Sequence, residues 1–376
     1  MRKTNSIKNL LLVSVSFLLF AIASCKKDNN VNNNNKNSNI TPTATPTTLG
    51  LYEADSSIYK LLLIAISKIG TQPVDYGLVF DTGSGGMVMD ANGILPASMI
   101  TSTGFNFTGD STVVNGVTIT NQTSMVEYGD DSASVSKVYG NEAFADVTVG
   151  DNNGNVVIKR LPFLIYYKAT DASGTTYPAH EFDTFGVDEE YDVTFANNDF
   201  ITSPFSSFDP GNGLTRGFKM AQLNAANFSF AGTYVPGAIT LGLTSSDLSS
   251  SSGFITTDLP FFAGEGYAPI NQATITYDSK SFQTYLLFDT GTDPYSYIED
   301  PTLSGNLRLL PANTAITADL NFGFNYNYST AATDNLTYVE NPTTSGANIS
   351  IMGLESFLNI EYMLDFTDHK LGLKNN

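Results

Sequence analysis

The sequence of 376 residues contains no tryptophan, one cysteine and two histidines. A single cysteine cannot form a disulfide within the chain. The histidines, His180 and His369, do not belong to a cluster with ligand spacing, which argues against a metal-dependent hydrolase. No G-x-S-x-G motif is present, and Cys25 precedes the region that could fold, so a covalent nucleophile is poorly supported. We therefore expect neither a metal ion nor another cofactor.

Basic residues are also scarce. The chain has 18 Lys and Arg against 37 Asp and Glu, a net charge of −19 and a pI near 4.2. A nucleic-acid backbone requires a basic surface, so nucleic acid is excluded as a partner. Solubility is the simplest interpretation of this acidity, and a preference for cationic substrates is a weaker one.

Charged residues make up only 15% of the chain, whereas it has 25 Phe, 19 Tyr and 31 Gly. Few charges with many aromatic and turn residues indicate a mainly β fold. No long helical period occurs, which argues against alternating strands and helices. Local patterns predict a strand at 59–66, hairpins turning at 151–154 and 278–280, a short helix at 218–223 and a strand at 227–231.

The first 24 residues have the pattern of an export signal. A basic start precedes an apolar run over residues 10–22, which is too short to span a membrane comfortably. The run leads to Ile22-Ala23-Ser24-Cys25, which resembles a bacterial lipobox. We therefore predict removal of residues 1–24 and lipidation of Cys25. An ordinary secretory signal with an incidental cysteine is the alternative.

Residues 25–50 are rich in Asn, Thr and Pro. Such a composition cannot bury a core, so this segment is predicted to be a solvated tether between the lipid and a folded domain. Lys26 follows the cysteine at the place where many bacteria use Asp to retain a lipoprotein in the inner membrane. This favours an outer-membrane lipoprotein, facing either the periplasm or the outside.

One short pattern occurs twice in the chain. Residues 78–84 read LVFDTGS and residues 286–292 read LLFDTGT. Each copy is an apolar run that ends in a carboxylate, Asp81 or Asp289, followed by a hydroxyl residue, glycine and a second hydroxyl residue. The copies lie about 200 residues apart, roughly the length of one lobe. Two matched carboxylates can share one proton and activate one water molecule.

These two phrases resemble the pepsin-like (family A1) aspartic peptidases over about residues 57–376. Three further stretches carry the resemblance: residues 69–73 (IGTQP), 183–186 (DTFG) and 351–373, which runs from IMG to LGL. The resemblance implies a mainly β, bilobal pepsin-like acid protease fold. It has two related β-barrel lobes, at residues 51–232 and 233–376, with an active-site cleft between them.

The resemblance assigns catalysis to Asp81 and Asp289, with one carboxyl group acting as general base and the other as general acid. Six neighbours support the two catalytic loops: Gly83 and Gly291 allow close approach of the backbone, Ser84 and Thr292 donate hydroxyl groups to the carboxylates, and Thr82 and Thr290 cross-link the loops.

Tyr128, Gly129 and Asp130 resemble the tip of the flap, a hairpin that closes over the substrate in this family. Two positions depart from the family pattern. Asp131 stands where a second glycine is usual, and Val88 stands where a tryptophan usually supports the flap tyrosine. These departures affect specificity more than the reaction.

The sequence therefore predicts a monomeric aspartic endopeptidase that acts on peptides or proteins and is held at a membrane by lipid. The alternative is a non-catalytic surface lipoprotein that keeps the cleft in order to bind a peptide or a protein.

Some fungal relatives carry Asp at the position of Asp130 and accept Lys beside the cleaved bond. We expect the same here, because a carboxylate can pair with the substrate ammonium group. In Asp130→Thr, kcat/KM for a Lys peptide should fall about tenfold relative to the matched Leu peptide. Unchanged Lys cleavage would remove this hypothesis.

Overall fold

The computed structural model describes residues 45–55, 59–129, 135–292, 295–304, 307–332 and 336–376. The predicted signal peptide, Cys25 and Asp130 lie outside these residues, so the statements about them stay predictions. Within the described ranges no helix is both long enough and apolar enough to cross a membrane.

The structure is mainly β, as predicted. The strands up to residue 258 are β1 (Thr47–Asp55), β2 (Lys60–Ile69), β3 (Gln72–Asp81), β4 (Gly85–Asp90), β5 (Ile100–Thr101), β6 (Gly104–Phe105), β7 (Ser111–Val114), β8 (Val117–Tyr128), β9 (Ser136–Asp151), β10 (Gly154–Thr170), β11 (Thr184–Val187), β12 (Glu189–Glu190), β13 (Val193–Thr194), β14 (Phe200–Ile201), β15 (Thr215–Met220), β16 (Thr233–Leu243) and β17 (Ile255–Asp258).

The remaining strands are β18 (Phe261–Phe262), β19 (Gly266–Tyr267), β20 (Asn271–Tyr277), β21 (Lys280–Phe288), β22 (Ser296–Glu299), β23 (Arg308–Leu309), β24 (Ala315–Leu320), β25 (Asn325–Ser329), β26 (Thr337–Glu340), β27 (Ile349–Met352), β28 (Ile360–Asp365) and β29 (Lys370–Asn375). The helical segments are short: α1 (Pro342–Ser345) and 3₁₀ turns at Ala97–Met99, Pro204–Ser207, Ala225–Asn227 and Leu354–Leu358.

Two sheets contain most of these strands. The larger has fourteen strands in the order β17-β29-β28-β15-β16-β1-β2-β3-β11-β4-β10-β9-β8-β7, and an additional pairing of β2 with β9 closes its middle part into a barrel. The second sheet has eight strands in the order β23-β26-β22-β27-β21-β20-β24-β25. Closure removes exposed strand edges, which explains why long apolar strands such as β2 stay in register.

The same three-strand arrangement occurs once in each sheet. In the first, β11 lies between β3 and β4, parallel to β3 and antiparallel to β4. In the second, β27 lies between β21 and β22, parallel to β21 and antiparallel to β22. β11 includes Phe185 and Gly186 of the DTFG stretch, and β27 ends at Met352, just before Gly353 of the IMG stretch. Each of these apolar-glycine motifs therefore lies beside the strand that leads to a DTG phrase.

A buried phenylalanine precedes each DTG phrase and fixes the end of its strand. Phe80 packs against Phe205 and Phe218, with ring centroids 6.3 and 6.1 Å apart. Phe288 packs against Phe324 and Phe357, with centroids 6.2 and 6.5 Å apart. Such aromatic packing in a solvent-free core holds the backbone from which the following aspartate projects.

Several local predictions are confirmed. The strand predicted at residues 59–66 is β2, and the two predicted hairpins are β9–β10 and β20–β21. Two others are wrong. Residues 218–220 extend β15 instead of forming a helix, because alternate residues Phe218 and Met220 point into the core. The strand predicted at residues 227–231 does not form. Residues 225–227 form a 3₁₀ turn instead, which Asn224 caps by accepting a hydrogen bond from the Ala226 amide.

The predicted segment boundaries need correction at two places. Residues 47–50 were predicted to belong to the tether but form the start of β1, which pairs with both β16 and β2. The lobe boundary predicted after residue 232 does not coincide with a change of sheet, because β15 and β16 pair across it. The chain enters the second sheet only after Asp258 and returns to the first with β28 and β29.

Candidate active site

Asp81 and Asp289 meet at the ends of two strands from different sheets. Asp81 is the last residue of β3, and Asp289 follows β21, where its amide donates to the Met352 carbonyl at 3.0 Å. The two carboxyl groups are hydrogen-bonded to each other, and each residue is only 8% exposed. A hydrogen bond between two carboxyl groups requires that one of them carry the proton.

The donors around the pair are arranged symmetrically. The Gly83 amide donates to Asp81 Oδ1 at 2.8 Å, and the Gly291 amide donates to Asp289 Oδ1 at 2.7 Å. Ser84 Oγ donates to Asp81 Oδ2 at 2.5 Å, and Thr292 Oγ1 donates to Asp289 Oδ2. Donors aimed at a carboxylate favour its charged form, so each side of the pair is equipped to hold a negative charge.

Thr82 and Thr290 connect the two loops reciprocally. The Thr82 amide donates to Thr290 Oγ1 at 3.0 Å, and the Thr290 amide donates to Thr82 Oγ1 at the same distance. The hydroxyl groups in turn donate to carbonyls of the opposite strand: Thr82 to Phe288 at 2.9 Å and Thr290 to Phe80 at 2.6 Å. Both threonines are buried, so these bonds form without competition from water.

Glycine is required in both loops because the opposite carboxylate lies against the backbone. A Cβ on Gly83 would lie 2.5 Å from Asp289 Cγ, and a Cβ on Gly291 would lie 2.4 Å from Asp81 Oδ1. Real Cβ contacts are longer than this, so any other residue would separate the loops and the two acids with them.

The surroundings raise the pKa of the Asp81 carboxyl well above its ordinary value. Burial is the largest cause, followed by the charge on Asp289 and the hydrogen bond to it, while Ser84 and Gly83 oppose the shift. The pair therefore retains a proton at a pH at which an isolated aspartate would have lost it.

Tyr128 ends β8, and the flap hairpin of β8 and β9 places it over the Asp81 loop. Burial raises the pKa of Tyr128, and the nearby Thr184 hydroxyl group opposes that shift. Thr184 Oγ1 donates to the Phe182 carbonyl at 3.1 Å. Val88 pairs with Thr184 across β4 and β11 and belongs to the apolar cluster on which Tyr128 packs.

The structure brings together all eight residues predicted at the two catalytic loops, and Tyr128 lies close to them. Gly129 follows Tyr128 with a φ of 111°, a conformation that favours glycine, and Asp130 is outside the described residues. His180 and His369 are not in the site. His369 is half-buried, its ring stacks on Tyr267 with centroids 3.7 Å apart, and its Nδ1 lies 3.0 Å from a Glu189 oxygen.

The sequence reasoning missed two sets of residues near the pair. Thr184 lies in the 183–186 stretch quoted for the resemblance, but no role was predicted for it. The acidic residues Asp188, Glu190 and Asp192 were not singled out, although the acid-rich run at 188–192 (DEEYD) is visible in the sequence.

No model of a known protein family matches the sequence, and no curated protein matches it. Solved structures do match. An aspartic proteinase from Irpex lacteus is 16% identical, with 87% of this chain and 97% of that chain covered at a TM-score of 0.56. Basic 7S globulin from soybean is 10% identical, with 88% of this chain and 96% of that chain covered at a TM-score of 0.55. The chain therefore has the mainly β, bilobal pepsin-like fold, as predicted, in a form shared by a proteinase and a globulin.

The threonine cross-link predicts a measurable coupling. Thr82→Val or Thr290→Val leaves a buried amide of the other loop without its acceptor, so each should lower the free energy of unfolding by about 1–3 kcal/mol in urea denaturation. The double variant should lose clearly less than the two losses combined, because the two hydroxyl groups are in contact and belong to one network, which the loss of either already loosens. Thr256→Val, on the exposed side of β17, is the control and should change stability by less than about 0.5 kcal/mol. Strictly additive losses would contradict the cross-link.

Proposed function

We propose that this protein is an aspartic endopeptidase that hydrolyses peptide bonds with water activated by Asp81 and Asp289. The single observation that carries the proposal is the pair of carboxyl groups in mutual contact, buried where two matched loops meet and supplied with a matching set of donors on each side. A protein that kept the fold only as a scaffold would not need both aspartates, both glycines and both outer hydroxyl groups.

The reaction follows from the two protonation states of the pair. The charged carboxylate removes a proton from a water molecule, whose oxygen attacks the carbonyl carbon of the peptide bond. The protonated carboxyl group gives its proton to the carbonyl oxygen, which yields a neutral tetrahedral diol. Collapse of the diol returns a proton to one carboxylate and delivers another to the leaving nitrogen, so the C–N bond breaks and the pair again holds one proton.

The hairpin of β8 and β9 supplies the cover for this step. Tyr128 packs against Phe182, with ring centroids 5.9 Å apart. A cover of this kind excludes bulk water from the carboxyl pair and orients an extended peptide beneath it. The expected partner is a peptide or protein substrate bound by a monomer.

The role of the carboxyl pair of Asp81 and Asp289, here called the dyad, is tested by Asp81→Asn and Asp289→Asn in the full-length protein. Each should lower kcat on a mixed peptide library by at least about a hundredfold between pH 3 and 7, because neither remaining acid can exchange roles with an amide. Asp75→Asn removes an exposed aspartate from the same strand, β3, and should leave turnover unchanged.

Loss of folding is not expected to account for an inactive Asp81→Asn variant. The raised pKa of Asp81 means that the folded chain favours the protonated form, so its contribution to stability is present at low pH and is lost as pH rises towards the folded-state pKa. Asn is neutral at every pH, and Asp81→Asn should therefore be at least as stable as the wild type at pH 7. Binding of a statine-type inhibitor without hydrolysis of any peptide would instead support the non-catalytic binding function, consistent with the globulin of the same fold.

We further propose that Cys25 carries lipid and holds the protein at the outer membrane through a tether that ends before Thr47. The lipobox-like sequence ahead of Cys25 is the support for this. In a bacterium that processes lipoproteins, the wild type should incorporate labelled palmitate and fractionate with membranes, whereas Cys25→Ser should do neither. Membrane association that persists in Cys25→Ser would refute the lipid anchor.

A further inference from the structure

A group of three acids lies behind the loop that carries Asp81. One carboxylate oxygen from each of Asp188, Glu190 and Asp192 lies within 4.8 Å of the others. Asp188 is fully buried, Glu190 is half-buried and Asp192 is exposed, so the group forms a small acidic site that opens to solvent on one side.

Hydrogen bonds attach this acidic site to the catalytic loop. The Asp188 amide donates to the Ser84 carbonyl at 3.0 Å, and the Gly85 amide donates to Asp192 Oδ2 at 2.6 Å. The Glu190 amide donates to Asp188 Oδ1 at 2.9 Å, which folds residues 188–192 around the carboxylates. The site is therefore built by backbone contacts and is not a chance meeting of mobile side chains.

The charges in this group lack a protein counterion. None of the ion pairs between described residues includes any of the three acids. Asp188 Oδ2 is buried and has no hydrogen-bond partner among the described residues. Burying an unpartnered carboxylate oxygen is costly, so this oxygen, in a residue whose carboxyl group lies within 4.8 Å of two other carboxyl groups, points to a missing positive charge.

The Tyr362 hydroxyl lies near Asp188 and Glu190 and is a second buried group without a hydrogen-bond partner in the described part of the chain. Two unpartnered buried polar groups therefore lie at the acidic site.

We propose that Asp188, Glu190 and Asp192 bind one calcium ion, which joins residues 188–192 to the loop after Asp81. Calcium takes oxygen ligands at about 2.3–2.6 Å, so ligand oxygens around one ion lie up to about 5 Å apart, in agreement with the spread of this group. Magnesium binds at about 2.0–2.1 Å and requires a tighter octahedron. The open side at Asp192 leaves room for the water ligands that complete the coordination of calcium. This role is structural and is independent of the proposed peptidase reaction.

The test is calorimetric titration of the EDTA-treated, full-length protein with CaCl2 at pH 7.5, with MgCl2 in parallel. We expect one calcium ion per chain, weaker binding of magnesium, and a rise in Tm of about 3 °C or more at saturating calcium. Asp192→Asn and Asp188→Asn should each weaken calcium binding at least tenfold and remove the rise in Tm. Asp75→Asn removes one negative charge elsewhere and should behave as the wild type.

Three results would overturn the proposal: no heat and no change in Tm at millimolar calcium, calcium binding that is undiminished in Asp192→Asn, or tighter binding of magnesium than of calcium. The first result would indicate that Asp188 and Glu190 share a proton instead. Asp192 is exposed, and the side-chain oxygen of an asparagine there can still accept from the Gly85 amide, so Asp192→Asn keeps the test decisive even if Asp188→Asn fails to fold.

Discussion

The reciprocal hydrogen bonds between Thr82 and Thr290 are the interaction on which the rest of the site depends. Each loop by itself is a short turn after a strand and has no reason to stop at a defined distance from the other. The threonines supply that distance, because each hydroxyl group accepts from the amide of the opposite loop and donates to the carbonyl of the opposite strand. With the loops locked, Gly83 and Gly291 are the residues that let two acidic side chains come into contact.

The molecule brings acidic side chains into close contact at two places. At the dyad, the repulsion is relieved by a retained proton and by a symmetric set of donors. At the neighbouring site of Asp188, Glu190 and Asp192, the described residues offer no equivalent donors for Asp188 Oδ2 and no basic side chain. The two groups are connected through Ser84 and Gly85, so whatever neutralises the second group also restrains the loop that positions the first.

The surroundings of Tyr128 come from distant parts of the chain. Val88 belongs to the apolar cluster on which the tyrosine packs, and Thr184 lies near the phenol. Val88 and Thr184 are far apart in sequence and become neighbours only because β11 pairs directly with β4.

The sequence alone determined the mainly β character, the two DTG phrases, both glycine motifs and the hairpins, because alternating apolar residues, turn residues and repeated motifs are local signals. It did not determine that residues 218–220 extend a strand, that the first sheet retains β15 to β17, or that β1 begins inside the predicted tether. Those outcomes depend on which distant strand supplies hydrogen bonds and on which side chains reach the core. Tertiary structure alone also decided the position of Thr184 near Tyr128 and the convergence of three acids beside the loop after Asp81, since a pattern of residue types does not contain the distances at which their charges interact.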